Sequence, residues 1–167
     1  MKKQLLHSGW QLTTVGKNDT IPATVPGSVY NDLLNAGRME DPYWRDNEMK
    51  ALALMDEDYR YNTTFDVNAD VLNSERVLLR CEGLDTIADI VLNGEKIASV
   101  CNMHRTWEFD VKDSLKTTGN TLEIVFHSPT KYIKEQDKIC HAGGSDDAMV
   151  GFPNLRKAHC MFGWDWG

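Results

Sequence analysis

Hydrophobic and polar residues alternate with a period of two over most of this chain, and that alternation predicts strands with one buried and one wet face. Trp10 and Leu12 alternate within Leu5 to Thr14, which reads as a first strand. Tyr59, Tyr61, Thr63, Phe65 and Val67 alternate with polar partners over a full strand length, whereas Arg76 to Cys81 is more continuously apolar. Ile87 to Leu92 runs into Asn93-Gly94. Both turn residues tolerate positive φ, so Lys96 to Val100 returns as the second arm of a hairpin. Trp107 to Val111 alternates again, Gly119-Asn120 introduces Thr121 to Phe126, and Leu155 to Phe162 reads as a final strand.

The remaining segments interrupt this rhythm. Ile21 to Gly27 carries two prolines, which fix φ and bias the residues before them away from helix. Ser28 is placed to cap a short helix through Ala36, with Val29, Leu33 and Leu34 on one face and Gly37 as the stop. Asp41 to Met55 is irregular and aromatic-tipped, as in a long surface loop or a broken helix, and Lys131 to Lys138 has room for one or two helical turns. Gly143 to Asp147 reads as a flexible loop. The expectation is an all-β fold, a jelly-roll β-sandwich with one short helix, forming one domain over residues 1–167.

Composition narrows the function more than the fold. The 167 residues are 41% hydrophobic and 26% charged, enough for a substantial core. A net charge of −7 argues against a nucleic-acid partner, because phosphate binding needs clustered Lys and Arg. The N-terminus lacks an apolar run of signal-peptide length and no stretch approaches a membrane span, so a cytoplasmic location and no membrane partner are expected. Cys81, Cys101, Cys140 and Cys160 are widely spaced and read as free thiols. Cys140-His141 and His159-Cys160 mirror one another, but neighbours on a strand point to opposite faces and rarely reach one ion. Neither a dense set of calcium ligands nor a nucleotide signature is present, so no metal and no cofactor are expected.

The candidate chemistry is concentrated at Phe162 to Gly167, where Trp164 and Trp166 flank Asp165. Flat indoles can cover the C–H face of a pyranose while a carboxylate accepts bonds from its hydroxyls; a buried tryptophan pair with a structural Asp is the other reading of the same residues. Asn154 and Arg156 lie upstream and could add an amide and a charged donor, although an ordinary ion pair would also account for Arg156. Side-chain bonds to nearby backbone N–H groups would explain Asp85, and solvation would explain Asp146 and Asp147. His104 sits on a rim loop, solvated or within reach of a ligand, and His127 reads as structural. Ser28 is better explained by capping than as a nucleophile.

Several separated segments resemble, in order and rough spacing, the N-terminal sugar-binding domain of glycoside hydrolase family 2. They are Val25 to Val29, Asp41 to Tyr43, Tyr59 to Tyr61 leading into Phe65 to Val67, Gly83 to Thr86, Leu92 to Gly94, Phe109 to Val111, and Asn120 to Leu122 running into His127 to Pro129. Arg156 to Cys160 followed by Phe162 to Gly167 is similar to the β-mannosidase branch rather than the β-galactosidase and β-glucuronidase branches. The resemblance implies a galactose-binding-domain-like fold and, in the full-length protein, a retaining exo-β-mannosidase. Its two catalytic glutamates would sit about 5 Å apart on a downstream (β/α)₈ barrel, leaving no catalytic residue in this chain. It also implies that Trp164 and Asp165 line the subsite for the terminal mannose, Asp165 on the hydroxyls and Trp164 on the ring; Trp166, Asn154 and Arg156, singled out from the residues themselves, complete the expected substrate-binding set. The implied partners are a β-mannoside oligosaccharide and the chain's own downstream barrel. In the family a proline and a further strand of the sandwich follow Trp-Asp-Trp-Gly, so a domain truncated there would carry an unpaired edge and could form a homodimer through it. A free-standing carbohydrate-binding module is the competing reading.

Overall fold

The computed structural model describes residues 2–143, 150–158 and 160. Six strands form one antiparallel sheet: β1 (Gln11–Thr14), β2 (Thr20–Pro22), β3 (Tyr59–Phe65), β5 (Ala88–Leu92), β6 (Glu95–Val100) and β8 (Asn120–Phe126), in the order β2-β1-β3-β8-β5-β6. Strands β4 (Leu78–Cys81) and β7 (Trp107–Asp110) pair antiparallel as a separate two-stranded sheet. The period-two pattern sets the register. Tyr61 lies opposite Ile124 and Thr63 opposite Leu122, and β8 continues on its other side with Ile124 opposite Ile90 and Leu122 opposite Leu92. These residues face one core together with Leu12 and Ala88, against which Leu79, Phe109 and Trp107 of the second sheet pack. Leu12, Ile90 and Leu92 are essentially inaccessible, each contributing about 2 kcal/mol through burial alone.

The hairpin at Asn93-Gly94 forms as its sequence predicts, with φ of 53° and 85°. Its Asn93 amide also donates to the Ser114 carbonyl at 2.7 Å and accepts from the Thr121 N–H at 3.0 Å, fastening the turn to the start of β8. The first strand is shorter than predicted, beginning at Gln11 rather than Leu5. The Trp10 indole N–H donates back to the Leu6 carbonyl at 2.8 Å, so the chain before β1 folds onto itself.

An all-β jelly roll with one short helix is not what forms. Among the described residues four α-helices accompany the six-stranded sheet, and the class is mixed α/β: α1 (Val29–Asn35), α2 (Asn47–Leu54), α3 (Ala69–Leu72) and α4 (Pro129–Ile139). Helix α1 is the predicted one, with the Ser28 hydroxyl accepting the Asn31 N–H. Helix α2 buries only Ala51 and leaves Met49 and Leu52 exposed, so its apolar residues trace no single stripe. Helix α4 is fixed by its ends: Ser128 accepts the Lys131 N–H and Pro129 supplies a preset φ at the first turn, while Ile133 is its one buried apolar residue. Helix α2 lacks the amphipathic stripe on which helix prediction rests, whereas α4 extends at both ends the one or two turns that the sequence predicts over Lys131 to Lys138. The predicted strand from Leu155 to Phe162 is replaced, over its described part, by an isolated parallel bridge between Asn102 and Arg156.

Two polar clusters tie helices to the sheet. Asp32 of α1 is 1% exposed, and its carboxyl accepts the Tyr61 hydroxyl at 2.8 Å and the Thr24 N–H at 2.9 Å. Burial, and then the Asp32 carboxyl, raise the Tyr61 phenol well above its ordinary range, so it stays a donor. At the end of β8, His127 lies between Asp89 at 3.1 Å and Asp58 at 3.5 Å. Asp58 also accepts the Ser128 N–H that opens α4. Burial works against ionisation of Asp89, but hydrogen bonds from Lys96, Ser99 and His127 outweigh it and hold the carboxyl at about 2. No helix among the described residues is long and apolar enough to cross a membrane.

Replacing Asp32 with alanine strands the buried Tyr61 hydroxyl and removes the acceptor of the Thr24 N–H, and urea unfolding should show a loss of about 3 kcal/mol, against about 1 kcal/mol for Tyr61→Phe. A loss for Asp32→Ala no larger than for Tyr61→Phe would contradict the buried bridge. For Asp89, the folded value lies below the ordinary 3.8, so its stabilisation is present above that pH and disappears as pH falls toward 2. The stability gap between the wild type and Asp89→Asn should therefore be about 1 kcal/mol near neutrality, after discounting for residual solvent exposure, and should close across that window. A gap independent of pH would refute the assignment.

Candidate functional site

The loop between β4 and β5, the connection from β6 to β7, and the segment 150–158 meet in one region of the fold. The meeting begins at Gly151, which has φ of 83° and packs so closely on α4 that an added Cβ would stand 2.7 Å from Ile133 Cγ2. Only glycine meets both demands. Residues Phe152–Asn154 then make a 3₁₀ turn, closed by the Leu155 N–H donating to the Phe152 carbonyl at 2.9 Å, and Leu155 is buried. At the C-terminal end of α4, hydrogen bonds from His141 and the Ala142 N–H hold the Asp137 carboxyl below its ordinary range; its Cβ is the next atom that a side chain at 151 would meet.

Beyond Leu155 the segment is fastened at successive residues. Arg156 bridges Asn102, its carbonyl accepting the Met103 N–H at 3.1 Å. The Lys157 ammonium pairs with the Asp85 carboxylate, both side chains being mostly buried, and the Thr86 hydroxyl donates to the other oxygen of Asp85. The Ala158 N–H donates to the Met103 sulfur at 2.9 Å. On the neighbouring connection the Trp107 indole N–H donates to the Asn102 carbonyl, and the Arg105 guanidinium stacks 4.4 Å from the centroid of that indole.

The predicted site residues divide accordingly. Trp164, Asp165 and Trp166 lie outside the described residues, as do Asp146, Asp147 and His159. Asn154 and Arg156 are brought to the fastened segment. The Arg156 side chain is exposed and makes no salt bridge among the described residues, so the ordinary ion pair is not its role there. The Asn154 Nδ2 is buried and has no acceptor among the described residues. Asp85 departs from its local explanation: its partner is a lysine 72 residues away, and no spacing pattern signals such a pair. His104 is exposed, its backbone N–H taken by Asn102. Among the described residues no group of three His, Cys, Asp or Glu side chains could hold a metal ion, and His141 is turned to Asp137 at 3.0 Å.

A second concavity of about 320 Å³ lies on the outer face of the large sheet, lined by Thr13, Thr20, Arg60, Asn62, Thr121 and Glu123 among others. Its polar groups already answer one another, Thr13 to Thr20 at 2.9 Å and Arg60 to Glu123 at 3.6 Å, and no aromatic ring lines it. The fastened segment, whose Asn154 amide and Arg156 guanidinium have no partner among the described residues, is the stronger candidate.

Residues 10–167 match the family model described as glycosyl hydrolase 2 galactose-binding domain-like. The Bos taurus β-mannosidase is 31% identical over 97% of this chain and 19% of its own length. The crystal structure of a β-D-mannosidase from Dictyoglomus thermophilum superposes with a TM-score of 0.90 at 36% identity, covering 97% of this chain and 20% of that one. An exo-chitosanase from Amycolatopsis orientalis shares the fold at a TM-score of 0.62 and 20% identity over 71% of this chain and 16% of its own. The chain thus spans about a fifth of the length of the relatives it matches.

The fastening predicts its own coupling. Lys157→Met should cost about 1–2 kcal/mol, less than a fully buried pair because water still reaches both groups, and Asp85→Asn in the same chain should recover part of it, a coupling of about 1 kcal/mol in the double-mutant cycle. Hydrogen exchange at the Met103 N–H should speed up in either single variant. Additive losses with unchanged exchange at Met103 would rule the anchor out.

Proposed function

The chain belongs to the glycosyl hydrolase 2 galactose-binding domain-like family, and on that premise we propose that it is the non-catalytic N-terminal domain of a retaining exo-β-mannosidase acting on terminal β-D-mannose residues of oligosaccharides. The observation that carries this reading is the step in likeness between relatives: 36% identity and a TM-score of 0.90 to a β-mannosidase, against 20% and 0.62 to a chitosanase. The homology to β-mannosidases extends over nearly the whole chain.

In this reading the fastened segment 150–158 delivers the following residues to the substrate pocket. Asp165 accepts hydrogen bonds from mannose hydroxyls, and Trp164 and Trp166 supply the apolar surface that shields them from water. Asn154 and Arg156 contribute donors, the first of which has no acceptor among the described residues. The acid/base and nucleophilic glutamates belong to the portion of the longer protein beyond this domain, so the domain's contribution is to substrate binding and positioning rather than to bond cleavage. A cytoplasmic location goes with the same proposal.

Expression of the longer reading frame should yield hydrolysis of aryl β-D-mannosides in preference to β-D-galactosides and β-D-glucuronides, with retention at the anomeric carbon, while residues 1–167 alone release no product. Asp165→Ala in that longer protein should lower kcat/KM by roughly 10- to 100-fold, the value of one charge-assisted hydrogen bond, with its melting temperature unchanged. Preference for a galactoside or a glucuronide would overturn the mannosidase reading.

A further inference from the structure

The connection from α1 to β3 exposes more aromatic surface than any other described part of the molecule. Tyr43 is 96% exposed and Trp44 64%, and Met49 and Leu52, one turn apart on α2, are 64% and 50% exposed. Taking about 200 Å² for each large side chain, these four leave roughly 500 Å² open to water within ten residues of chain. That is the scale of the largest patch a soluble monomer keeps, and such patches mark interaction sites.

The chemistry around the patch selects the kind of partner. A sugar platform needs free polar groups beside the ring. Here Asp41, Asn47 and Lys50 are already engaged: the Asp41 carboxylate accepts the Tyr43 N–H at 2.9 Å, the Asn47 amide donates to the Asp41 carbonyl at 3.0 Å, and Lys50 pairs with Glu40. The Arg45 guanidinium lies 5.7 Å from the centroid of the Trp44 ring and covers part of it. The exposed Tyr, Trp, Met and Leu are interspersed along the chain with Arg45, Asp46, Glu48 and Lys50, the mixture of apolar anchors and charged residues found in protein–protein interfaces.

We infer that Tyr43, Trp44, Met49 and Leu52 form the docking surface for the remainder of the longer polypeptide that the reading above places after this domain. The proposal rests on that reading for the existence of its partner. The matched relatives are about five times as long as this chain. A tethered partner is present at millimolar effective concentration, and contacts between domains of one chain bury 600–1,500 Å² in total, about half of which this patch supplies from one side.

Hydroxyl-radical footprinting of the longer protein, monomeric by light scattering and free of sugar, decides the matter with an internal control. Tyr59 is 4% exposed. Tyr43 labelled as slowly as Tyr59 supports the interface; Tyr43 labelled an order of magnitude faster overturns it. Protection that appears only with a β-mannoside oligosaccharide assigns the patch to sugar, and protection that fades on dilution assigns it to a second copy; either overturns the proposal. The Tyr43→Ser/Trp44→Ser variant should melt several degrees lower and release the domain to limited proteolysis, and unchanged behaviour counts against docking. Mannoside hydrolysis is measured on the same preparation. A protected patch on a protein without that activity keeps the interface and removes the mannosidase reading, while an exposed patch on an active enzyme does the reverse.

Discussion

A slip of one residue between β3 and β8 would turn Tyr59, Tyr61 and Thr63 out to water and bring Arg60, Asn62 and Thr64 inward. That register governs the rest of the molecule. It presents the Tyr61 hydroxyl to Asp32 and so seats α1 against the sheet. It sets Ile124 against Ile90 and Leu122 against Leu92, so β5 and its hairpin partner inherit their alignment from the same pair of strands. It also ends β8 where His127 reaches two carboxylates and Ser128 opens α4. A polar contact such as Asp32 with Tyr61 adds specificity to this arrangement, because a mispaired alternative would bury the carboxyl without a donor.

The candidate site depends on that frame at one remove. Helix α4 is held at its start by the end of β8, and it offers Ile133 and Asp137 as the surface on which Gly151 lies. The segment then crosses to loops that belong to the other half of the core, where Asn102, Met103 and Asp85 hold it. The segment 150–158 is thus fixed by residues scattered over most of the chain, although none of them is required to touch a ligand.

Much of this was legible in the residues themselves. Apolar patterning located seven of the eight described strands in outline but not the three-residue β2, and it placed a strand at Leu155 to Phe162 where the described part holds only a bridge; Asn93-Gly94 fixed the central hairpin, and Ser28 with Gly37 bounded α1. The all-β expectation failed on the weight given to helix. The stretch from Lys131 to Lys138 reads as one or two turns, and α4 extends it to Pro129–Ile139 from its Ser128 cap; α2 keeps Met49 and Leu52 in water and so carries little of the periodicity by which a helix is recognised. At the site, Asn154 and Arg156 could be singled out by their proximity in sequence to the aromatic motif. The pairing of Asp85 with Lys157 could not, since an ion pair spanning 72 residues leaves no local trace. Its discovery required the fold.

The position of β8 carries a consequence in time. It is the last described strand to be synthesised, yet it lies in the middle of the large sheet, between β3 and β5. A growing chain that has passed Leu92 but not reached Phe126 holds two partial sheets whose inner edges face no partner. At 5–20 residues per second the interval lasts roughly 2–7 s. The outer strand β2 is only three residues long and ends in Pro22, a poor template for stray pairing. The vulnerable edges are therefore the ones that the finished protein never shows, and a ribosome that pauses within those residues leaves Tyr59, Tyr61, Ile90 and Leu92 incompletely covered.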